Sequence, residues 1–310
     1  MTHLTQIRGA GPQPISGPRI RAQLGGCLLM LLLFKQACSQ TAEPIEDVVV
    51  SARTQTTLEA ETLSISATPD AEPYPGGVTA IVGLGALLSP VYSGSKTIKA
   101  SPFPYVDIHG LLNDRLYLSS VRGIGVNLLN TGPFRGGFAL NYAGGRTSSD
   151  SERLRGLPDL SGGAVLAGFM TYSFRPFALE ARVRHQFGSS AGTEASLGAS
   201  FSAAPLPRFH LSLGADVAWA NSQYQRTHFG VTPAEAAQAT AEGNPMSPYT
   251  PGSGLLDFNV TAVALYQVSK HWGLIGRVGL ADLIGTPAKD SPLTQRTFQP
   301  SVGFGALYKF

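Results

Sequence analysis

The chain has 310 residues, of which 14% are charged against roughly 25% in an average soluble domain, and 36 are glycine, about 12% against a usual 7%. This composition excludes a disordered chain and a soluble helical protein, and a mean hydropathy of +0.06 is too polar for a bundle of membrane helices. The formal charge of +3 divides unevenly: residues 1–39 hold Arg8, Arg19, Arg21 and Lys35 and no acid, leaving 19 of the 23 basic residues against all 20 acidic ones, which gives no electrostatic reason to expect nucleic acid.

In chain order, the first element is an export signal. Arg19 and Arg21 precede an apolar stretch from Leu24 to Phe34, and Ala37-Cys38-Ser39 sets small residues at the −3 and −1 positions of a cleavage site. A secretory signal peptide is expected over 1–39, with Ala37 and Ser39 as the residues read at cleavage. A lipidated Cys38 and a short membrane anchor are the alternatives. Lys35-Gln36-Ala37 is a poor lead-in for the first, and the apolar run is too short for the second. Cleavage after Ser39 removes both cysteines, Cys27 and Cys38, so the exported chain would rely on backbone pairing and packing.

Residues 40–73 carry seven acidic side chains against Arg53 alone, lack aromatic residues and run into Pro73-Tyr74-Pro75. Such a segment cannot bury enough apolar surface to fold alone, so a flexible acidic periplasmic tail is expected. Within it, Glu46 to Arg53 resembles a TonB box, with Asp47, Val48, Val49 and Val50 at its centre. A box of this kind works by adding an extended strand to the partner's sheet, and the β-branched run suits that. An idle β-prone stretch is the alternative, because the chain is too short for the plug domain and 22 strands of energised receptors.

From 74 to 310 the pattern changes to period 2. Phe177, Leu179, Ala181 and Val183 alternate with Glu180, Arg182 and Arg184, and Phe258, Val260, Ala262 and Ala264 alternate with Asp257, Asn259 and Thr261. Strands are expected near 76–89, 103–112, 115–119, 123–129, 133–143, 161–174, 176–187, 193–203, 208–221, 256–269, 271–284 and 299–310. Many are near the 9 to 11 residues that a tilted strand needs to cross a bilayer, and longer than the 5 or 6 usual in soluble sheets. Tight connections at Asn113-Asp114, 130–132, Arg175, 204–207 and Lys270 contrast with long ones at 90–102, 144–160, 222–255 and 285–298. Short turns on one rim and long loops on the other mark an all-β, antiparallel, up-and-down transmembrane barrel of the outer-membrane type. Twelve strands are expected; ten is an alternative count, and merging 115–129 into one strand would give eleven.

Hydrocarbon offers backbone groups no partner, so only a closed barrel is viable there. Inward Gly83, Gly85, Gly198 and Gly214 would leave room in the lumen, and Tyr92, Tyr142, Tyr172, Phe174, Phe187, Trp219, Tyr266, Trp272 and Tyr308 are candidates for the interfacial girdles. Val302, Phe304, Ala306, Tyr308 and Phe310 share one face, and Tyr308 with a final Phe310 resembles the signal read by the barrel-assembly machinery. Asp107, His109, Glu180, Arg182, Arg184, His210, Asp216, Asp257 and Arg277 fall on the polar phase and would line the lumen. They either pair and fill it or form a charged ring that sets ion preference.

Six groups of residues then point to a family: Leu88 to Ser95, Gly144-Gly145-Arg146, Leu154 to Asp159, Tyr224 to Thr232, Tyr249 to Leu255, and Ala288 to Leu293. In this order they resemble the MipA/OmpV family over about 75–310. The resemblance implies an outer-membrane barrel that scaffolds cell-wall enzymes, bridging a lytic transglycosylase and a murein synthase. Other members resemble adhesins or porin-type proteins. It implies no catalytic residues.

Enzyme chemistry is weakly encoded. Ser93-Gly94-Ser95-Lys96 matches S-x-x-K but sits in a glycine-rich loop without partner motifs. His109, His185, His210, His228 and His271 lack metal-ligand spacing. The sequence therefore predicts a non-enzymatic barrel without cofactor or metal, in contact with outer-membrane lipid and with murein hydrolase or synthase partners. The rival reading is a small channel or a surface adhesin using loop 222–255, with TonB as a further partner.

Overall fold

The computed structural model describes residues 78–310. The expected signal with Ala37, Cys38 and Ser39, and the tail with Asp47, Val48, Val49 and Val50, lie outside the described residues. The remainder closes into a barrel of twelve strands: β1 (Thr79–Pro90), β2 (Ile98–Leu111), β3 (Leu116–Ser119), β4 (Gly123–Thr131), β5 (Phe134–Ala143), β6 (Gly163–Phe174), β7 (Phe177–Gln186), β8 (Gly192–Leu206), β9 (Phe209–Ala220), β10 (Gly254–Gln267), β11 (Trp272–Asp282) and β12 (Phe298–Lys309). Every strand pairs antiparallel with its sequence neighbours. β1 meets β12 with Val82 opposite Tyr308 and Leu88 opposite Val302, so the sheet has no first or last strand. β3 and β4 remain separate, which settles the count at twelve and sets aside ten and eleven.

Alternation decides which face each side chain takes. Leu179, Val183, Leu197, Phe304 and Leu274 are exposed on the outside, whereas Arg182, Arg184, Asn259 and Arg277 are buried inside. Exposed apolar side chains on this scale are what a lipid-facing wall requires. No described helix is long and apolar enough to cross a membrane. At the inner rim, Phe134 packs on Tyr172, Tyr172 on Phe174, Phe174 on Phe177 and Phe177 on Phe201, with centroid separations of 4.8–5.8 Å. Trp272, Tyr308 and Phe310 continue this girdle. Tyr142, Phe187 and Trp219 lie exposed towards the other end. Tyr92 does not join them, because its side chain is buried among loops.

Most boundaries moved by a few residues, and two of the shifts redraw a connection. β2 begins at Ile98, inside the expected loop 90–102, because its pairing with β1 runs up to Pro90 opposite Ile98. β8 runs to Leu206, into the expected turn at 204–207, and Arg208 takes the tight bend with φ +66°. The larger departure is the segment expected as an open loop, 222–255. It holds α1 (Ser222–Phe229) and α2 (Pro233–Ala241), while the last long connection carries a short α3 (Thr286–Lys289). Asn221 caps α1 by accepting from the Tyr224 N–H at 2.8 Å. Thr232 and Glu235 form a reciprocal capping box around Pro233 at the start of α2.

Candidate functional site: a capped barrel with an inner vestibule

The connections of the longer-loop rim fold inward and pack together. Tyr92, Leu154, Leu157, Val231, Ala236, Ala239 and Leu293 form one buried apolar cluster, and Ala218, Ala220, Tyr224, Phe229, Leu256, Leu283 and Ala288 form a second. A bulge between Leu255 and Phe258 turns Leu256 inward to meet the latter. Hydrogen bonds tie distant loops together. Tyr92 Oη donates to the Leu293 carbonyl (2.9 Å), Arg153 Nε to Pro292 (2.7 Å), Ser291 Oγ to Phe229 (2.6 Å), Arg146 Nη1 to His228 (2.7 Å), and Asn244 Nδ2 to Arg153 and Arg155 (3.0 and 2.9 Å). Gly156, at φ +79°, sits where an added Cβ would lie 2.6 Å from the Ala239 Cα. Burial pushes the Tyr92 phenol up and the Arg146 guanidinium down to about 10, so Arg146 stays charged at neutral pH. The six motif groups that carried the family resemblance all supply this cap.

Below the cap lies a polar layer. Arg184 faces Glu194 at 3.7 Å, Arg277 Nη1 donates to Ser301 Oγ at 3.0 Å, and Asn259 Nδ2 donates to Asp257 (2.9 Å) and Asp216 (3.4 Å). Nearer the short-turn rim, Asp107 lies 3.4 Å from His109, which lines the vestibule, and accepts from Tyr105 Oη at 3.1 Å. Arg182 holds Glu180 through Nε and Nη2 at 3.0 and 2.7 Å, a two-donor contact that fixes both side chains. Charges in a confined interior are tolerable when held by such partners.

The inner end is open. A vestibule of about 1340 Å³ extends from the short-turn rim, where His210 stands, to Glu180, Arg182 and Asp216. Its walls carry Arg122, Arg135, Arg175, Arg182, Lys270 and Lys309 against Glu180 and Asp216. The Arg122 guanidinium stacks 4.5 Å over the Tyr117 ring, and Arg135 reaches Asp114 at 3.7 Å.

The structure therefore places Asp107, His109, Glu180, Arg182, Arg184, His210, Asp216, Asp257 and Arg277 inside the barrel but not in one ring. Arg184 and Arg277 belong to the layer under the cap, and His210 to the vestibule. Sequence reasoning missed Arg122 and Tyr117, on or beside the shortest strand, and did not single out Glu194, although it shares the polar phase of β8. Ser93 and Lys96 lie on a turn rather than a helix, with Lys96 exposed. Among the described residues, no group of three or more His, Cys, Asp or Glu is arranged to hold a metal ion.

Among solved structures the chain is similar to an outer-membrane channel from Pseudomonas putida F1, at 11% identity over 78% of this chain and 98% of that one, TM-score 0.39. It is also similar to the NanC porin (7% identity, 76% and 100% coverage, TM-score 0.37) and to OmpT of Vibrio cholerae (10%, 77% and 100%, TM-score 0.34). No curated protein matches. The family model of the MltA-interacting protein MipA matches residues 82–310, the barrel from within β1 to its end and every motif in the cap. The chain belongs to the MipA family.

Proposed function

We propose that this outer-membrane barrel is a non-enzymatic scaffold that brings together peptidoglycan-remodelling enzymes, a lytic transglycosylase and a murein synthase, at the inner face of the membrane. One observation carries the reading: the end with long loops is packed shut, while the short-turn end, periplasmic in barrels of this type, is open and basic. Arg175, Arg208, Lys270 and Lys309 are exposed around that opening and offer a cationic surface to an acidic partner. Crosslinking in intact membranes followed by purification of the full chain tests it. Murein hydrolases or synthases should be enriched, and their absence from the crosslinked material would refute the scaffold.

The charged lining of the vestibule favours a second reading, a small channel whose cap opens. Discrete openings of the purified protein in planar bilayers would support it; silence across several salts would eliminate it. Use of the Glu46–Arg53 segment by TonB is a separate proposal. A pull-down with the TonB periplasmic domain should lose the complex on Val49→Pro, and indifference to the proline would retire the idea.

A further inference from the structure

The shortest strand places a cation inside the barrel. β3 has four residues, roughly 13 Å at about 3.3 Å each, so its return turn at 120–122 ends well short of a span of about 30 Å. Ser119 Oγ accepts from the N–H groups of Val121 and Arg122, both at 3.3 Å, and holds that turn. Arg122 points inward, its guanidinium 4.5 Å over the Tyr117 ring. Tyr117 is itself held: it is buried, Phe169 meets it edge-on at 6.4 Å, and an added Cβ on Gly125 would collide with its ring. Stacking uses the face of a guanidinium and leaves its edge donors for a planar anion. Among the described residues no carboxylate forms an ion pair with Arg122, whereas Arg135 has Asp114 and Arg182 has Glu180.

Arg122 stands between two spaces. On one side is the vestibule and on the other an apolar chamber of about 90 Å³, and Tyr105, Arg122, Val263, Ile275 and Leu307 line both. Leu87 and Phe103 add apolar walls, and Gly85 opposite Gly305 on the β1–β12 seam gives the chamber its depth. An apolar cavity stays dry and takes an apolar guest. This volume suits a single ring or a branched alkyl group rather than a long chain.

The charged lining of the chamber is Asp107, Arg122 and Arg277. Asp107 has His109 at 3.4 Å and the Tyr105 hydroxyl at 3.1 Å, and Arg277 donates to Ser301 Oγ at 3.0 Å. Two guanidinium groups against one carboxylate leave a positive excess, which favours one negative charge on the guest. Mostly apolar walls with a few convergent polar groups are the usual form of a small-molecule pocket, the polar groups fixing orientation. The vestibule supplies the route, and its cations outnumber its acids, so an anion is drawn towards Arg122.

We propose that Arg122 and this chamber bind a small organic anion with one compact apolar group, an aromatic carboxylate being the type, its carboxylate on Arg122 and its ring in the chamber. Binding at equilibrium makes no demand on the scaffold or the channel reading. The test follows para-fluorobenzoate by fluorine NMR with the full chain in detergent micelles. Saturable binding is expected, displaced by benzoate but not by acetate, which lacks the ring; no saturable binding, or displacement by acetate as readily as by benzoate, would overturn the proposal. The neutral para-fluorobenzyl alcohol should bind about tenfold more weakly or worse, as should the carboxylate to Arg122→Gln, because each loses a charge-assisted hydrogen bond. Equal binding in either comparison refutes the role of Arg122. Gly303→Leu, whose Cβ would meet first the flexible Leu87 Cδ1 at 3.1 Å, should fill the chamber and abolish binding, with folding checked by heat-modifiable migration on a gel; unchanged binding in that folded variant also overturns the site. If Arg122→Gln does not fold, the alcohol and Gly303→Leu carry the test.

Discussion

At one end of this barrel the connections include a helical segment and long loops that interlock through Tyr92, Leu154, Val231 and Leu293; at the other, turns as short as Arg175-Pro176 and Pro207-Arg208 leave a cavity of about 1340 Å³ open at the rim. The same twelve strands carry both ends, so the difference lies in what the connections bury. The cap hides apolar side chains and satisfies its carbonyls with buried side-chain donors, as a soluble core does. The vestibule presents unburied cations on a rigid rim and has little to pack.

The largest expected effect is on the closure itself. Replacing residues 222–253 by a short turn removes α1 and α2 and both of their clusters. Discrete conductance should then appear in planar bilayers, whereas the intact protein stays silent; a silent but folded deletion would mean that the polar layer below seals the barrel unaided. Next comes that layer. Arg184→Met leaves Glu194 buried without its cation and should cost about 3–5 kcal/mol in urea unfolding from lipid, most of it recovered by adding Glu194→Met. Leu154→Ala, at a side chain 1% exposed in the cap, should cost about 2–5 kcal/mol, read as faster proteolysis of the loops with the strands still protected. The smallest effect on stability should follow from Arg175→Glu with Lys270→Glu, within about 0.5 kcal/mol per site, because both are exposed. Capture of murein enzymes should nonetheless fall, and unchanged capture would separate the vestibule rim from partner binding.

Much of the wall was legible because β-strand periodicity is local. Leu179, Ala181 and Val183 against Glu180, Arg182 and Arg184 declare two faces within a few residues, and no distant contact is needed to read them. Loops give no such signal. Tyr92 reads as an interfacial aromatic until Leu293, far along the chain, is brought to its hydroxyl. The helix at 233–241 was the exception: Thr232-Pro233-Ala234-Glu235 spells a capping box with proline at the first helical position, and it went unread inside a segment taken as open loop.

The sequence alone determined an antiparallel transmembrane barrel with its polar face inward, because the alternation repeats every two residues and each strand carries its own instruction. Strand length and the asymmetry of the connections distinguished a membrane barrel from a soluble sheet. The tertiary structure decided which lumen charges meet, that Arg184 finds Glu194 while His210 stands in the vestibule, and that the long loops pack into a common cap. Those outcomes depend on register and on contacts between residues far apart in the chain, which no local pattern encodes.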